Sequence, residues 1–98
     1  MKNFTIEEVK TAYKNGIIQF STGYDRSPTC VIGDDWFFFA GNEGEDMLWQ
    51  EYRDAVGIDT MLEEVMQVLN NPIENGLDSD EGAYLHYYIR EELERRVN

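Results

Sequence analysis

Between Gly16 and Ala40 the sequence abandons the helical period and alternates like a strand, three times in succession. Residues 17–22, 29–33 and 36–40 are short runs rich in β-branched and aromatic side chains. Gly23-Tyr24-Asp25-Arg26-Ser27-Pro28 and Gly33-Asp34-Asp35 separate them and carry turn chemistry. Strands joined by connections this short pair antiparallel, so the segment predicts a three-stranded meander. The two-residue period places Ile18, Phe20, Cys30, Ile32, Phe37 and Phe39 on one buried face, with Trp36 and Phe38 on the other. The third run is therefore apolar on both sides. Either helices cover part of the far face, or this is a central strand whose second face meets a partner.

Helical signals flank the meander on both sides. Thr5 with Glu8 three residues later forms a capping box, and Phe4 can staple onto Val9, so a first helix is expected over residues 6–14 and ends at Asn15-Gly16. After the loop 42–46, Asp46 is the expected N-cap of a second helix over residues 47–55, which Gly57 breaks. Asp59 is the expected cap of a third, in which Met61, Leu62, Val65, Met66, Val68 and Leu69 form one broad apolar stripe. Pro72 stops it, residues 72–80 read as a polar loop, and a fourth helix follows to about residue 96 with Leu85, Ile89 and Leu93 at four-residue spacing. The order α-β-β-β-α-α-α argues for a single α+β domain over residues 1–98, with the later helices packed on the sheet.

Charge is distributed unevenly along this frame. The chain carries 20 acidic against 8 basic residues, a formal charge of −12, while 5 Phe, 6 Tyr and 2 Trp supply enough apolar surface to fold. Residues 1–33 sum to +1, residues 34–82 to −13 and residues 83–98 to zero, so the excess lies entirely in the middle. Asp46, Asp59, Glu63, Asp80 and Glu81 are placed to meet helix dipoles, which accounts for part of it. The rest serves solubility, meets a basic protein surface, or imitates the phosphate array of nucleic acid. On this basis Asp34, Asp35, Glu43, Glu45, Asp46, Glu51, Asp54, Asp59, Glu63 and Glu64 are expected to make one negative surface. Trp49 and Tyr52, three apart on the second helix, are the expected aromatic anchors beside those carboxylates.

Reaction chemistry is hard to find in the sequence. His86 is the only histidine, no His-Glu-x-x-His or Cys-x-x-Cys is present, and no EF-hand register gives an acidic first and a Glu twelfth position. A loose divalent-ion site at Asp34/Asp35 or at Asp78/Asp80 stays open. Cys30 falls mid-strand on the core face, and there is no nucleophile elbow, phosphate-binding loop or dinucleotide fingerprint. Neighbouring acids such as Glu63/Glu64 or Glu91/Glu92 diverge by about 100° on a helix, which is wrong for a shared acid–base site. The expectation is a protein that is not an enzyme, with no cofactor and no catalytic or metal residues. The charge sign disfavours direct nucleic-acid binding. The longest apolar stretch, 36–40, is far short of the about 20 residues a membrane span needs. With one cysteine and no cationic start leading into an apolar run, the expected location is the cytoplasm.

The run Thr29-Cys30-Val31-Ile32-Gly33-Asp34-Asp35-Trp36-Phe37-Phe38-Phe39 is preceded by Ile6-Glu7-Glu8-Val9-Lys10-Thr11-Ala12-Tyr13 and Gly16-Ile17-Ile18. Together these resemble small uncharacterised acidic proteins carried on conjugative elements and phages. The resemblance covers about the first forty residues. It implies a mobile-element setting and an anti-restriction or other anti-defence role, and it implies no reaction. The expected function is thus that of an acidic interaction protein, a DNA mimic occupying the basic, nucleic-acid-binding surface of another protein. The alternative is a small structural or assembly module, homodimeric through one of Tyr84, Tyr87 and Tyr88 on the fourth helix.

Overall fold

The computed structural model describes residues 2–97. The chain folds as α1 (Ile6–Lys14), β1 (Gln19–Thr22), β2 (Pro28–Ile32), β3 (Asp35–Phe38), a 3-10 turn (Gly41–Gly44), α2 (Trp49–Val56), α3 (Ile58–Asn70), a second 3-10 turn (Ile73–Asn75) and α4 (Ser79–Val97). The sheet is antiparallel in the order β1-β2-β3, with Phe20 opposite Cys30 and Cys30 opposite Phe37. This is the α+β arrangement that the spacing predicts, with differences at several element ends.

Helix α1 begins and ends for local reasons. Its N-terminal amides are satisfied by the expected capping box: Glu8 N–H donates to Thr5 Oγ1 at 3.2 Å, and Thr5 N–H donates to Glu8 Oε1 at 2.9 Å. At the other end Gly16 takes φ +78°, so that Ile17 N–H reaches Ala12 O at 2.9 Å and Gly16 N–H reaches Tyr13 O at 3.1 Å, the two bonds of a Schellman turn. That turn consumes Ile17 and Ile18, which are buried but precede the strand, so β1 begins at Gln19 and not at residue 17.

The later helix starts differ more. Asp46 does not cap α2: it sits in the left-handed region at φ +61°, in the turn that follows the 3-10 segment. The helix starts at Trp49, and Glu51 Oε1 accepts the Leu48 N–H at 2.9 Å. Asp59 likewise lies inside the first turn of α3, because Gly57 at φ +88° lets the chain begin a new helix at Ile58. The expected loop through residue 80 is shorter than its composition suggests. Asp78 Oδ1 accepts the Glu81 N–H at 2.8 Å and Glu81 Oε1 accepts the Asp78 N–H at 3.1 Å, a second reciprocal cap that starts α4 at Ser79.

One core joins all of these elements. Ile18, Cys30, Ile32, Phe37 and Phe39 on the inner sheet face are buried together with Val9 and Ala12 of α1, Met61, Leu62, Val65, Val68 and Leu69 of α3, and Leu85 and Ile89 of α4. Helices α2 and α4 meet the sheet, and α3 packs against α1, α2 and α4. Ahead of α1, the N-terminal segment is clasped to the far end of the chain. Phe4 is buried against the His86 ring, with centroids 4.5 Å apart, and lies under the Arg90 guanidinium at 4.2 Å. Arg90 also pairs with Glu8 at 2.5 Å and donates to the carbonyls of Lys2 and Asn3, both at 3.1 Å. Asn70 holds both backbone groups of Phe4: Oδ1 accepts its N–H at 2.9 Å and Nδ2 donates to its carbonyl at 3.0 Å.

Removing the Asn70 amide leaves two backbone groups in a part-buried site without their partner. Asn70→Ala is expected to lower stability by about 1–3 kcal/mol, read as a shift in the urea midpoint at unchanged slope.

Candidate interaction surface

The two faces of the sheet have opposite characters. On the inner face Phe37 is 4% exposed, whereas Trp36 and Phe38, its neighbours in β3, are 56% and 40% exposed. Those two rings meet edge to face at 5.4 Å, and Gly23 of the β1–β2 connection lies against Phe38, where an added Cβ would stand 2.7 Å from the ring. Strand β3 is thus an edge strand, not the central one, and no helix lies over its outer face. The outer face is slightly concave. A depression of about 380 Å³ runs from Ser21 and Tyr24 across Thr29 and Val31 to Trp36, and Asp34 and Asp35 form its rim. Tyr24, at the tip of the β1–β2 connection, is 98% exposed. Gly33 makes the tight turn into Asp34 at φ +60°, where an added Cβ would lie 2.6 Å from Tyr84 Oη, so Tyr84 of α4 fixes the acidic turn from behind.

The acidic residues expected to share one surface fall on three parts of the molecule. Asp34 and Asp35 lie at the β2–β3 turn and border the aromatic face. At the other end of β3, Glu45 and Asp46 line a cleft of about 710 Å³ together with Asp25 of the hairpin tip. Glu43, in the same 3-10 segment, acts on Glu64 of α3 across the space between them. Glu51, Asp54, Asp59 and Glu63 are exposed on α2 and α3. Asp59 stands 4.0 Å from Lys10 of α1, and Asp54 lies 3.5 Å from Arg53. Among the described residues these are the only two acids of the 34–82 segment in ion pairs, so basic side chains of the same chain neutralise little of its charge.

The two expected anchors have other duties. Tyr52 is 1% exposed, so it is a core residue and not an anchor. Its hydroxyl donates to the Glu64 carboxylate at 2.8 Å, which lets a phenol be buried with its polar end satisfied. The acidity of its sequence neighbours concealed this, because the acceptor lies twelve residues away on another helix. Trp49 is half-buried: its ring stacks on Phe20 at 5.8 Å, Arg53 covers it at 5.1 Å, and its backbone N–H donates to Thr22 Oγ1 at 3.0 Å. It joins α2 to β1. The exposed rings are instead Trp36, Phe38, Tyr24 and, on α4, Tyr87. The signal for the first two was in the sequence, as the alternation that set them opposite Phe37 and Phe39.

The remaining polar groups of the interior are structural. His86 is buried with Nε2 2.8 Å from Leu69 O, and burial pushes the Cys30 thiol well above its ordinary value. Among the described residues no three His, Cys, Asp or Glu side chains are grouped to hold a metal ion, and no helix is long and apolar enough to cross a membrane. Of the fourth-helix tyrosines, Tyr84 and Tyr88 are packed behind Gly33, while Tyr87 is 70% exposed. Comparison with protein-family models, curated proteins and solved structures finds no match for this chain.

Two carboxylates titrate in opposite senses. Burial, reinforced by the Glu43 charge, raises the Glu64 pKa despite the Tyr52 hydrogen bond. Burial acts on Glu8 too, but the Thr5 amide and Arg90 outweigh it and hold that pKa low. Glu64 therefore stabilises the fold at low pH, and its contribution is lost as pH rises through its raised folded value; Glu8 stabilises at higher pH and loses its contribution as pH falls through its lowered one. In urea titrations at neutral pH, Glu64→Gln is expected to raise the midpoint and Glu8→Gln to lower it, with the Glu8 difference shrinking in acid below the ordinary carboxylate range.

Proposed function

We propose that this chain is a non-enzymatic acidic interaction protein that occupies a basic surface on a partner protein, a surface that otherwise binds nucleic acid. The observation that carries this reading is the pairing of uncompensated charge with an uncovered aromatic face. The 34–82 segment holds 14 acids, of which Asp54 and Asp59 alone are ion-paired among the described residues, and Trp36 and Phe38 stand exposed beside Asp34 and Asp35. Keeping large rings in water forfeits about 25 cal/mol per Å² of apolar surface, which a partner recovers by covering them. Long-range attraction would set the rate of encounter, and the rings would set how long the complex lasts.

Scale supports the nucleic-acid-binding class of partner. The molecule is 37 Å along its longest axis. A duplex of that length carries about 22 phosphate charges, and a cleft gripping one side meets about half of them. The net charge of −12 is of the same order. The resemblance of the first forty residues to acidic proteins of conjugative elements and phages adds a setting in which such a competitor blocks restriction or another defence system.

A second reading, a homodimeric assembly module in the cytoplasm whose acidity serves solubility, is favoured by the exposure of Tyr87 on α4. Light scattering separates the two readings. The interaction protein is expected to stay monomeric across a concentration series, whereas the module must dimerise and lose its dimer in Tyr87→Ala.

Pull-down from the native host, with the bound protein identified by mass spectrometry, is expected to yield a nucleic-acid-binding protein that duplex DNA displaces. Affinity for it should fall at least tenfold between about 50 and 200 mM salt, and further in a Glu43→Gln/Glu45→Gln/Asp46→Asn variant. A salt-independent complex, or one that DNA leaves intact, would overturn the reading.

A further inference from the structure

The two edges of the sheet are treated differently. Helix α2 lies against β1 and β2, tied to β1 by the Trp49 backbone N–H on Thr22 Oγ1 at 3.0 Å. No helix is tied to strand β3 in this way, and among the described residues its backbone hydrogen bonds, like those of β1, join it to β2 alone. Proteins usually blunt a bare edge with lysine, proline, a bulge or a covering segment. Asp35-Trp36-Phe37-Phe38 carries neither lysine nor proline, and its register against β2 is unbroken from Ile32–Asp35 to Thr29–Phe38. Beside the edge runs a groove of about 370 Å³, closed on its far side by Asn75, Gly76 and Leu77 and flanked by the Asp35 and Glu81 carboxylates.

Resting on the reading of this chain as an acidic interaction protein, we propose that the β3 edge is where the partner docks, and that the partner contributes an extended basic segment that adds to the sheet as a fourth strand. A strand of four residues offers unpaired backbone donors and acceptors over about 13 Å, and main-chain pairing would supply the affinity. Alternate side chains of the added strand then have two destinations. One set lies on the outer face beside Trp36 and Phe38; the other turns toward Leu77 and the rest of the groove. Charge selects the sign of the occupant. Asp35 and Glu81 in the groove and Asp34 at its end favour Lys or Arg, and the same charges oppose a second copy of this chain, itself at −12.

The test uses the full chain and a synthetic hexapeptide of alternating Lys and Val, compared with the same peptide N-methylated at every second residue. N-methylation keeps the charge and removes strand pairing. The unmodified peptide is expected to bind at least tenfold more tightly, and to slow amide hydrogen exchange in residues 35–38 while leaving residues 19–22 unchanged. Trp36→Lys, at a position over half exposed and so outside the core, should weaken it at least tenfold with the far-ultraviolet circular dichroism and the urea midpoint of the fold retained. Equal binding of both peptides with a steep salt dependence would overturn the edge and leave the acidic-surface reading standing. Binding of neither peptide at low salt would overturn the edge and count against the acidic-surface reading as well. Concentration-dependent protection of residues 35–38 without peptide would make the occupant a second copy and overturn the proposal.

Discussion

A sheet of three short strands has two faces to hide, and this chain hides one. The buried apolar side chains of α1, α3 and α4 converge on the side of Ile18, Cys30, Ile32, Phe37 and Phe39. Among the described residues no helix lies over the reverse side. The core therefore fixes the exposed surface by exclusion: a strand of consecutive aromatics must put every second ring somewhere, and with the inner layer closed Trp36 and Phe38 are left in water. The acidic turn at Asp34, the hairpin tip at Tyr24 and the groove beside β3 all take their positions from that one-sided coverage.

Charge is tolerated in this arrangement because it stays off the core. Glu64 is one partial exception. It is drawn in far enough to accept the Tyr52 hydroxyl and to feel Glu43, and the fold keeps a phenol buried at the cost of a carboxylate that resists ionisation. Glu92 on α4 is buried as well, paired with Arg95 and Arg96, and most of the other acids sit on turns and outer helix faces, where water solvates them. Such a surface attracts basic partners from afar and adds little to stability.

Much of the fold could be read from the residues, and the misses have physical causes. The Thr5/Glu8 box, the glycine exit at Gly16 and the stripe of α3 are local devices, and local devices survive in the structure with their bounds nearly unchanged. Asp46 failed as a cap because a 3-10 turn used up the residues before it and left it in a left-handed turn. Tyr52 was misplaced because burial of a phenol depends on an acceptor from another helix, which no window of neighbouring residues contains. The exposed pair on β3 was half legible: alternation assigned Trp36 and Phe38 to the reverse face, but whether anything covers that face depends on how four helices pack, a property of the whole chain.

The clasp around Phe4 sets a condition on how the molecule comes into being. Its parts lie at opposite ends of the sequence, with Arg90 gripping Glu8 across 82 positions and Asn70 gripping Phe4 across 66. During synthesis the leading segment is made well before its holders, Asn70 first and then His86 and Arg90, so the clasp stays incomplete until α4 has emerged. Closure of the clasp thus awaits α4, and a polypeptide cut short before that helix would keep the Asn70 bonds to Phe4 but lose the His86 ring and the Arg90 bridge.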